Sequence, residues 1–401
     1  MARAGTIWPL AITACSVVTA LGAGTTALRD GLLRRQSGLR PCDAPDMPKD
    51  IWIGRVAGLE NVALPQDLAG FTCRNNRLAE LALRTDGFAA AVDRARLRYG
   101  SARIAVVLGT STSGIGEAED AYARRSASSS ALPADFDYAK TQDLQSLPLY
   151  VRARFGLKGP AMAISTACTS SARASMVAAD MIAAGLVDAA VVGGVDSLCR
   201  MTLHGFASLE LLSRGRPTRP CAADRDGISI GEAAGLMLLE RPMAENQPLL
   251  LGAGASSDGH HMSSPHPEGL GAVTAMRAAL LAAQLTPDEI DYINLHGTGT
   301  RANDAMEDKA VSHVFADRVP CSSTKGWTGH TLGASAAIEA CVAIECLDAG
   351  LIPGCLGVDA PDETFTSDVA TANRKVNIRR VLSNSFGFGG SNCSLIIGYP
   401  T

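Results

Sequence analysis

Apolar stretches of strand length alternate along the chain with apolar stretches of helix length. Residues 10–18 predict a buried first strand that ends at a Gly-rich turn. Further strands are predicted at residues 103–108, 161–166 and 188–197. Residues 169–184 predict a helix with small or apolar side chains on nearly every side, which is typical of a buried helix. This alternation predicts an α/β protein built on a central sheet.

A second series of elements follows residues 240–248, which predict a linker. It contains predicted strands at residues 291–295 and 318–322 and predicted helices at residues 303–315 and 332–349. IAVVLGTSTS in the first series and YINLHGTGT in the second are both strands followed by Gly/Thr turns, and each series also has a strand, a polar loop and an apolar helix ending at glycine. We therefore expect a duplicated layout in which loops of the two halves face each other.

The composition supports a large core. Of the 401 residues 47% are hydrophobic and 19% are charged, which argues against intrinsic disorder. Forty glycines and only 4% aromatic residues indicate close packing of small side chains. Lys and Arg number 36 against 40 Asp and Glu, giving a net charge of −4. This balance lacks the positive field that binds duplex nucleic acid, so nucleic acid is not an expected partner.

The eleven cysteines are scattered through apolar stretches and include no C-x-x-C pair. This pattern predicts a reduced, cytoplasmic chain without a zinc site or redox dithiol. The first 24 residues resemble a signal peptide, but Trp8 and Pro9 interrupt the apolar run, so a buried first strand is the preferred interpretation. No other stretch approaches the roughly 20 apolar residues of a membrane span.

Three residues are candidates for chemistry. Cys168 is predicted at a strand-to-helix junction, where the positive end of a helix lowers the pKa of a thiol; a buried structural cysteine is the alternative. His296 ends a predicted strand before GTGT, and His330 precedes a helix in KGWTGH. A lone histidine is more often structural, but these two occupy equivalent positions beside Gly and Thr residues that admit a ligand.

Other polar segments have weaker interpretations. His260, His261 and His266 cluster in a loop-like segment whose spacing is not that of HExxH, so a metal site there is not favoured. GTSTSGIG lacks a Walker lysine and the GxGxxG spacing, which favours a structural turn. GFGGSN supplies backbone N–H groups to an oxyanion in one interpretation and forms a simple hairpin turn in the other.

Four ordered motifs together resemble the β-ketoacyl-acyl carrier protein synthases, in the type I/II branch of the thiolase superfamily. They are STACTSS with Cys168, NLHGTGT with His296, STKGWTGH with Lys325 and His330, and NSFGFGGSN with Phe386 and Phe388. The resemblance covers nearly the whole chain and extends to DRDGISIGEAAG and QSG. It implies the thiolase fold, with two duplicated βαβαβαββ halves in a five-layer αβαβα arrangement. We expect the halves at residues 1–245 and 246–401.

The resemblance implies an acyltransferase, a 3-oxoacyl-acyl-carrier-protein synthase, that performs a decarboxylative Claisen condensation. Cys168 would take an acyl chain from acyl carrier protein as a thioester. His296 and His330 would activate malonyl-carrier protein for decarboxylation and stabilise the enolate through neutral imidazole Nε2–H groups. No cofactor of the chain's own is expected, because the phosphopantetheine arrives on the carrier protein.

The family pattern also assigns supporting roles. The backbone N–H groups of Cys168 and Phe388 would form the oxyanion hole, and Phe388, with Phe386 in the same motif, would gate the acyl pocket. Lys325 would support the histidines electrostatically, with Glu307 as its ion-pair partner.

Two further sets of residues follow from the resemblance. Thr298 and Thr300 resemble residues that bind the pantetheine arm. No catalytic metal is implied, but a structural cation is, unless the same polar groups satisfy one another; its expected ligands are Asn294, Glu339, Ser383 and Asn384.

Departures from the family pattern bear on the substrate. GASA replaces the commoner GAAG, EAAG replaces EGAG, and Trp327 stands beside His330, where we expect it to reshape the pocket. Trp327 and the divergent segment 117–143 favour a specialised pathway, aryl polyene or type II polyketide, over fatty acid elongation. A non-catalytic, chain-length-factor-like partner subunit is the alternative function, against which the intact Cys168 and histidines argue. Nothing favours a cysteine hydrolase.

The implied partners are acyl carrier protein and a second subunit, as a homodimer or as a heterodimer with a related ketosynthase or chain-length factor. Carrier proteins are generally acidic, so docking requires a basic patch. Candidates for it, with ordinary solvated charges as the alternative, are Arg74, Arg77, Arg214 and Arg216. The acyl chain length and the identity of the second subunit stay open at this point.

Overall fold

The computed structural model describes residues 9–44, 47–126, 131–244, 246–316 and 318–400. The strands in these residues are β1 (Leu10–Thr19), β2 (Gly22–Ala23), β3 (Arg40–Pro41), β4 (Trp52–Gly54), β5 (Ile104–Gly109), β6 (Ala161–Ile164), β7 (Ala189–Asp196), β8 (Ile230–Gly231), β9 (Ala233–Glu240), β10 (Leu249–Ser257), β11 (Tyr292–Asn294), β12 (Cys321–Ser322), β13 (Leu351–Ile352), β14 (Arg374–Lys375), β15 (Arg380–Gly387) and β16 (Ser391–Gly398).

The α-helices of the same residues follow in chain order. They are α1 (Thr25–Arg34), α2 (Arg74–Arg84), α3 (Phe88–Tyr99), α4 (Ile115–Ala123), α5 (Ser146–Arg154), α6 (Ser170–Ala183), α7 (Arg200–Ser208), α8 (Leu270–Ala283), α9 (Arg301–Phe315), α10 (Lys325–Thr328) and α11 (Ser335–Ala349). None of them is both long enough and apolar enough to cross a membrane.

The large sheet repeats one arrangement twice. Its strand order is β12-β11-β15-β16-β10-β1-β9-β7-β5-β6, with β2 beside β1. In the first half β1 and β7 flank β9 antiparallel, and β7, β5 and β6 are parallel. In the second half β10 and β15 flank β16 antiparallel, and β15, β11 and β12 are parallel. The duplicated layout is confirmed, and the halves join where β1 pairs antiparallel with β10.

The strand and helix predictions differ from the structure mainly at element ends. The predicted strand at residues 161–166 is shorter, because Ala167 turns the chain with a φ of 52° after β6. The strand predicted at residues 318–322 shrinks to β12. The first predicted strand is β1 in the middle of the sheet, while residues 1–8 lie outside the described residues. Residue 245, the predicted boundary between halves, also lies outside them, so the exact division stays a prediction.

Small residues let the two central helices approach the sheet. α11 is buried from Ser335 to Leu347, as the absence of a polar face predicts. α6 lies so close to β5 that a Cβ on Gly109 would meet the Ser171 nitrogen at 2.5 Å. The high glycine content therefore serves helix-on-sheet packing at this position, directly behind the loop that carries Cys168.

Candidate active site

Loops at the ends of parallel strands bring Cys168, His296 and His330 together. Cys168 lies between β6 and α6, His296 follows β11, and His330 lies between α10 and α11. Cys168 Sγ is 2.9 Å from His330 Nε2, and the two histidine rings meet edge to face with centroids 5.2 Å apart. The thiol and one nitrogen of each ring all lie within 4.8 Å of one another, and all three side chains are buried. Facing loops of the two halves thus build one site.

The backbone around Cys168 is held in an unusual turn. Ala167, the preceding residue, has a φ of 52°, which is uncommon for a residue with a Cβ. Ser170 fixes the turn, because its hydroxyl donates to the Ala167 carbonyl at 2.5 Å and accepts from the Thr166 N–H at 2.9 Å. A Cβ on Gly387 would lie 3.1 Å from the Cys168 nitrogen, so the segment that carries Phe388 lies against the Cys168 backbone.

Burial governs the ionisation of all three groups. It raises the pKa of the Cys168 thiol to about 12, although the nearby Lys325 ammonium acts in the opposite direction. The expectation of a lowered thiol pKa at the helix end is therefore wrong for the free protein. Burial, and then Lys325, lower the pKa of His296 and of His330 well below the ordinary value, so both imidazoles are neutral near pH 7.

The predicted ion pair between Lys325 and Glu307 is wrong. The Lys325 ammonium pairs with Glu339 on α11, and both side chains are buried. Glu307, on α9, accepts hydrogen bonds from the backbone N–H groups of His296 at 2.8 Å and Gly297 at 2.7 Å. Burial raises the pKa of Glu307 to about 7. Glu307 therefore holds the loop of His296, and Glu339 neutralises the lysine.

Three of the four residues expected to bind a structural cation carry an oxygen that suits it. Asn294 Oδ1, Glu339 Oε2 and Ser383 Oγ are buried and have no hydrogen-bond partner among the described residues. Such oxygens are the ligands of hard cations. The side chain of Asn384 is instead engaged, since its amide nitrogen donates to Glu307 and its oxygen accepts from Ser394. The residues present fit a cation with Asn384 outside its side-chain ligands.

Two cavities meet at Cys168. One, of about 320 Å³, is lined by the three central residues together with Thr298, Thr300, Phe386 and Phe388. The other, of about 300 Å³, is mainly apolar, with Phe206, Leu209 and Leu332 in its wall. Phe388 lines both cavities and stacks on Phe206 with ring centroids 5.6 Å apart. Sequence reasoning missed Phe206 and Leu209, because nothing in the local pattern of α7 marks a pocket wall.

Comparisons with known proteins agree with this site. Family models described as the N-terminal and C-terminal domains of beta-ketoacyl synthase match residues 76–244 and 249–359. The chain belongs to the β-ketoacyl synthase family. It is 39% identical over 267 residues to the mitochondrial 3-oxoacyl-acyl-carrier-protein synthase of Arabidopsis thaliana, covering 62% of this chain and 58% of that protein. It is 38% identical over 264 residues to synthase 2 of Rhizobium meliloti (strain 1021), covering 62% of each. The chain thus spans about three fifths of the length of these curated relatives.

Two solved structures of the family match over all or nearly all of their length. The ketosynthase ApeO from Xenorhabdus doucetiae, solved in complex with its chain length factor ApeC, superposes with a TM-score of 0.90 at 38% identity, covering 100% of both chains. A beta-ketoacyl synthase from Burkholderia phymatum STM815 superposes with a TM-score of 0.86 at 27% identity, covering 98% of this chain and 99% of that one. These matches confirm the thiolase fold.

Asp196 holds two loops of the active site of this β-ketoacyl synthase chain together through hydrogen bonds. It was not identified from the sequence. Its Oδ1 accepts from the hydroxyl of Thr110, the N–H of Ser111, and both the N–H and hydroxyl of Thr112 at 2.8–2.9 Å. Its Oδ2 accepts from Ser111 Oγ and from the Gly333 N–H, both at 2.6 Å. One buried carboxylate thus ties the GTSTSGIG turn after β5 to the loop between His330 and α11.

Trp327 does not reshape the pocket of this family member. Its ring is fully buried, its Nε1–H donates to the Gly31 carbonyl at 3.0 Å, and it lines neither cavity at Cys168. The expectation that it reshapes the pocket is therefore wrong.

The remaining surface candidates are engaged elsewhere. Arg74, Arg214 and Arg216 form ion pairs with acidic side chains, and Arg77 donates to two backbone carbonyls. Among the described residues, the His260 and His266 rings contact each other but belong to no group of His, Cys, Asp or Glu side chains tight enough to hold a metal. The structure therefore marks neither a free basic patch nor a histidine metal site at these positions.

Proposed function

We propose that the protein is a 3-oxoacyl-acyl-carrier-protein synthase, an acyltransferase that joins an acyl group on Cys168 to malonyl-carrier protein with loss of CO₂. The observation that carries the proposal is the buried thiol flanked by two neutral imidazoles where two cavities meet. A nucleophile, two N–H donors and separate spaces for two substrates are what this condensation needs. The same groups argue against a non-catalytic partner subunit.

The first half-reaction loads the enzyme. Cys168 Sγ attacks the thioester carbonyl of an acyl-carrier protein, the carrier sulfur leaves, and the thiol proton goes with it. The oxyanion of this step rests on the N–H groups of Cys168 and Phe388. The acyl chain occupies the apolar cavity beside Phe206, while the pantetheine arm runs along Thr298 and Thr300 in the other cavity. The carrier protein brings this arm, so the chain uses no cofactor of its own.

The second half-reaction forms the new carbon–carbon bond. Malonyl-carrier protein loses CO₂, and the electron pair left behind forms an enolate on its thioester. The Nε2–H groups of His296 and His330 donate to the enolate oxygen, and Lys325 adds a positive charge nearby, balanced by Glu339. The enolate carbon then attacks the acyl thioester carbonyl, and the Cys168 sulfur leaves as a thiolate that takes up a proton from solvent to restore the thiol. The 3-oxoacyl product departs on the carrier. Glu307 keeps the His296 loop in place throughout.

A dimer with a related subunit completes the proposal. β6 is the terminal strand at one end of the large sheet, and its four residues are half-buried. The Ala163 N–H donates to the Gln145 side chain instead of to a neighbouring strand. Such an apolar edge is a site of strand pairing. The complex of ApeO with its chain length factor favours a heterodimer and a specialised pathway over fatty acid elongation. All eleven cysteines are free thiols, which supports a cytoplasmic location.

Intact mass spectrometry tests the function and reads the substrate. The protein, alone and with a chain length factor, is incubated with a panel of acyl- and aryl-enoyl-carrier proteins, and the mass of the loaded chain is measured. We expect one chain type to add to Cys168 and the Cys168→Ala variant to stay unmodified. Cys199→Ala, which removes another buried thiol, is expected to load as the wild type does. Acylation of Cys168→Ala at the wild-type rate would refute the assignment.

A further inference from the structure

Ser335 contacts the ring nitrogen of His330 that faces away from Cys168. Its Oγ lies 3.0 Å from His330 Nδ1, while Nε2 of the same ring lies 2.9 Å from Cys168 Sγ. The three side chains are all buried. His296 differs, because its Nδ1 has no hydrogen-bond partner among the described residues. His330 is therefore held at both ring nitrogens.

The direction of the Ser335 hydrogen bond decides what His330 presents to the substrate. A neutral imidazole carries one ring proton, so the partner at one nitrogen fixes the role of the other. When Ser335 donates to Nδ1, the ring proton is on Nε2 and faces Cys168. When Ser335 accepts from Nδ1–H, Nε2 is a base that faces the thiol.

Thr331 distinguishes the two directions. Its hydroxyl oxygen lies 3.3 Å from Ser335 Oγ, its sole side-chain hydrogen-bond contact within the described part of the chain. When Thr331 donates to Ser335 and Ser335 donates to His330, both hydroxyl hydrogens have an acceptor. In the opposite direction Ser335 accepts from Nδ1–H, and either its own hydroxyl hydrogen or that of Thr331 is buried without an acceptor among these three side chains. This is costly, and the gain is a weak S–H hydrogen bond from Cys168.

We propose that Ser335 is a positioning residue that fixes the tautomer of His330 with its proton on Nε2. The inference rests on the proposed function, since a proton at that nitrogen serves an enolate oxygen and does not help the thiol to ionise. Its sequence signature is the GASA segment, because the commoner GAAG has alanine at this position. Ser335 thus provides a donor for the enolate and withholds a base from Cys168.

The reactivity of Cys168 tests the assignment without any need for condensing activity. The rate of its alkylation by iodoacetamide is measured by peptide mass spectrometry between pH 6 and 10. Ser335→Ala frees Nε2 to accept the thiol proton, so we expect alkylation about tenfold faster at pH 7, as from a drop of one unit in the thiol pKa. Slower or unchanged alkylation overturns the proposal.

Two matched variants separate the tautomer from a general packing effect. Ser335→Thr keeps the hydroxyl and is expected to restore the wild-type pH profile. Ser175→Ala removes a buried hydroxyl that donates only to the Ser171 carbonyl of its own helix, and it is expected to leave the profile unchanged. A shift as large in Ser175→Ala as in Ser335→Ala would contradict the proposal.

Two further measurements complete the test. CO₂ release from malonyl-carrier protein is expected to slow by about tenfold or more in Ser335→Ala, since a donor to the enolate is lost. If the wild type releases no CO₂ but Ser335→Ala is alkylated faster, the proposed function fails and the tautomer assignment stands. Nitrogen-15 NMR of histidine-labelled wild-type protein is expected to show Nδ1 of His330 unprotonated; a protonated Nδ1 overturns the assignment, whichever variants fold.

Discussion

At the scale of single residues, the role of a buried charged side chain depends on its ion-pair and hydrogen-bond partners. The sequence does not show which residues those partners are. Lys325 and Glu307 both lie in recognisable motifs, and the resemblance paired them with each other. In the structure the lysine meets Glu339 on α11, whereas Glu307 binds backbone N–H groups. Two buried carboxylates thus have different functions, and each can be tested separately.

If the two active-site histidines stabilise the enolate, replacing either of them slows decarboxylation. His296→Ala and His330→Ala each remove an N–H donor to the enolate, so we expect CO₂ release from malonyl-carrier protein to fall by about 100-fold or more. His313→Ala removes an exposed histidine of α9 and is expected to have no effect. Wild-type rates in both active-site variants would remove the histidines from the mechanism.

Glu307 predicts a pH dependence of stability. Its pKa is raised by burial from 4.5 to about 7 in the folded protein, so the folded state binds the proton more tightly than the unfolded state. Glu307 therefore contributes about 3 kcal/mol to the free energy of unfolding below pH 4.5. This contribution is lost as the pH rises to 7. We expect urea unfolding to show this fall in wild type relative to Glu307→Gln. The exposed Glu363→Gln serves as control, and equal pH slopes in wild type and Glu307→Gln would contradict the prediction.

At the scale of elements, the strands and helices of the core were predictable, but their ends and their contacts were not. The small-residue helices α6 and α11 follow from their lack of a polar face. The early end of β6 depends on the strained Ala167 turn, and the role of the GTSTSGIG turn depends on Asp196, which is distant in sequence. Trp327 shows the same limit, since nearness to His330 in sequence gave no information about the direction of its ring.

Because α6 lies so close to β5, we expect a single methyl group added at Gly109 to destabilise the protein. In Gly109→Ala the new Cβ would meet the Ser171 nitrogen at 2.5 Å, so the helix behind Cys168 must shift. We expect a loss of about 1–3 kcal/mol in the free energy of unfolding, together with slower loading of Cys168. Gly116→Ala, on α4 where no atom lies within 4 Å of the new Cβ, is the control and is expected to be neutral or slightly stabilising. Equal urea midpoints for the two variants would contradict this account.

At the scale of the whole molecule, the duplication explains why one site needs the entire chain. The first half supplies the thiol and the second half supplies both histidines, and the halves meet along β1 and β10. The duplicated layout predicted this convergence, because corresponding loops of two similar halves face each other. The family motifs identified Thr298, Thr300 and Phe388 in the cavity walls, but not Phe206 or Leu209, and not the outer edge of the sheet. These depend on surfaces that the sequence pattern does not record.

The β6 edge predicts how subunits associate. Ala163→Lys places a charge on the half-buried terminal strand, which blocks strand pairing, so we expect a shift from dimer to monomer. Leu97→Lys, at an exposed position on α3, adds the same charge and is expected to leave the dimer intact. Analytical ultracentrifugation, alone and with a chain length factor, measures the result. An unchanged dimer in Ala163→Lys would place the interface elsewhere.

The buried, protonated thiol has a consequence for the life of the protein in the cell. Peroxides and other small oxidants react with thiolates far faster than with thiols. A nucleophile whose pKa is raised to about 12 is therefore shielded while the enzyme is idle. We therefore expect peroxide to inactivate the resting protein more slowly than it inactivates enzymes with exposed, ionised cysteines.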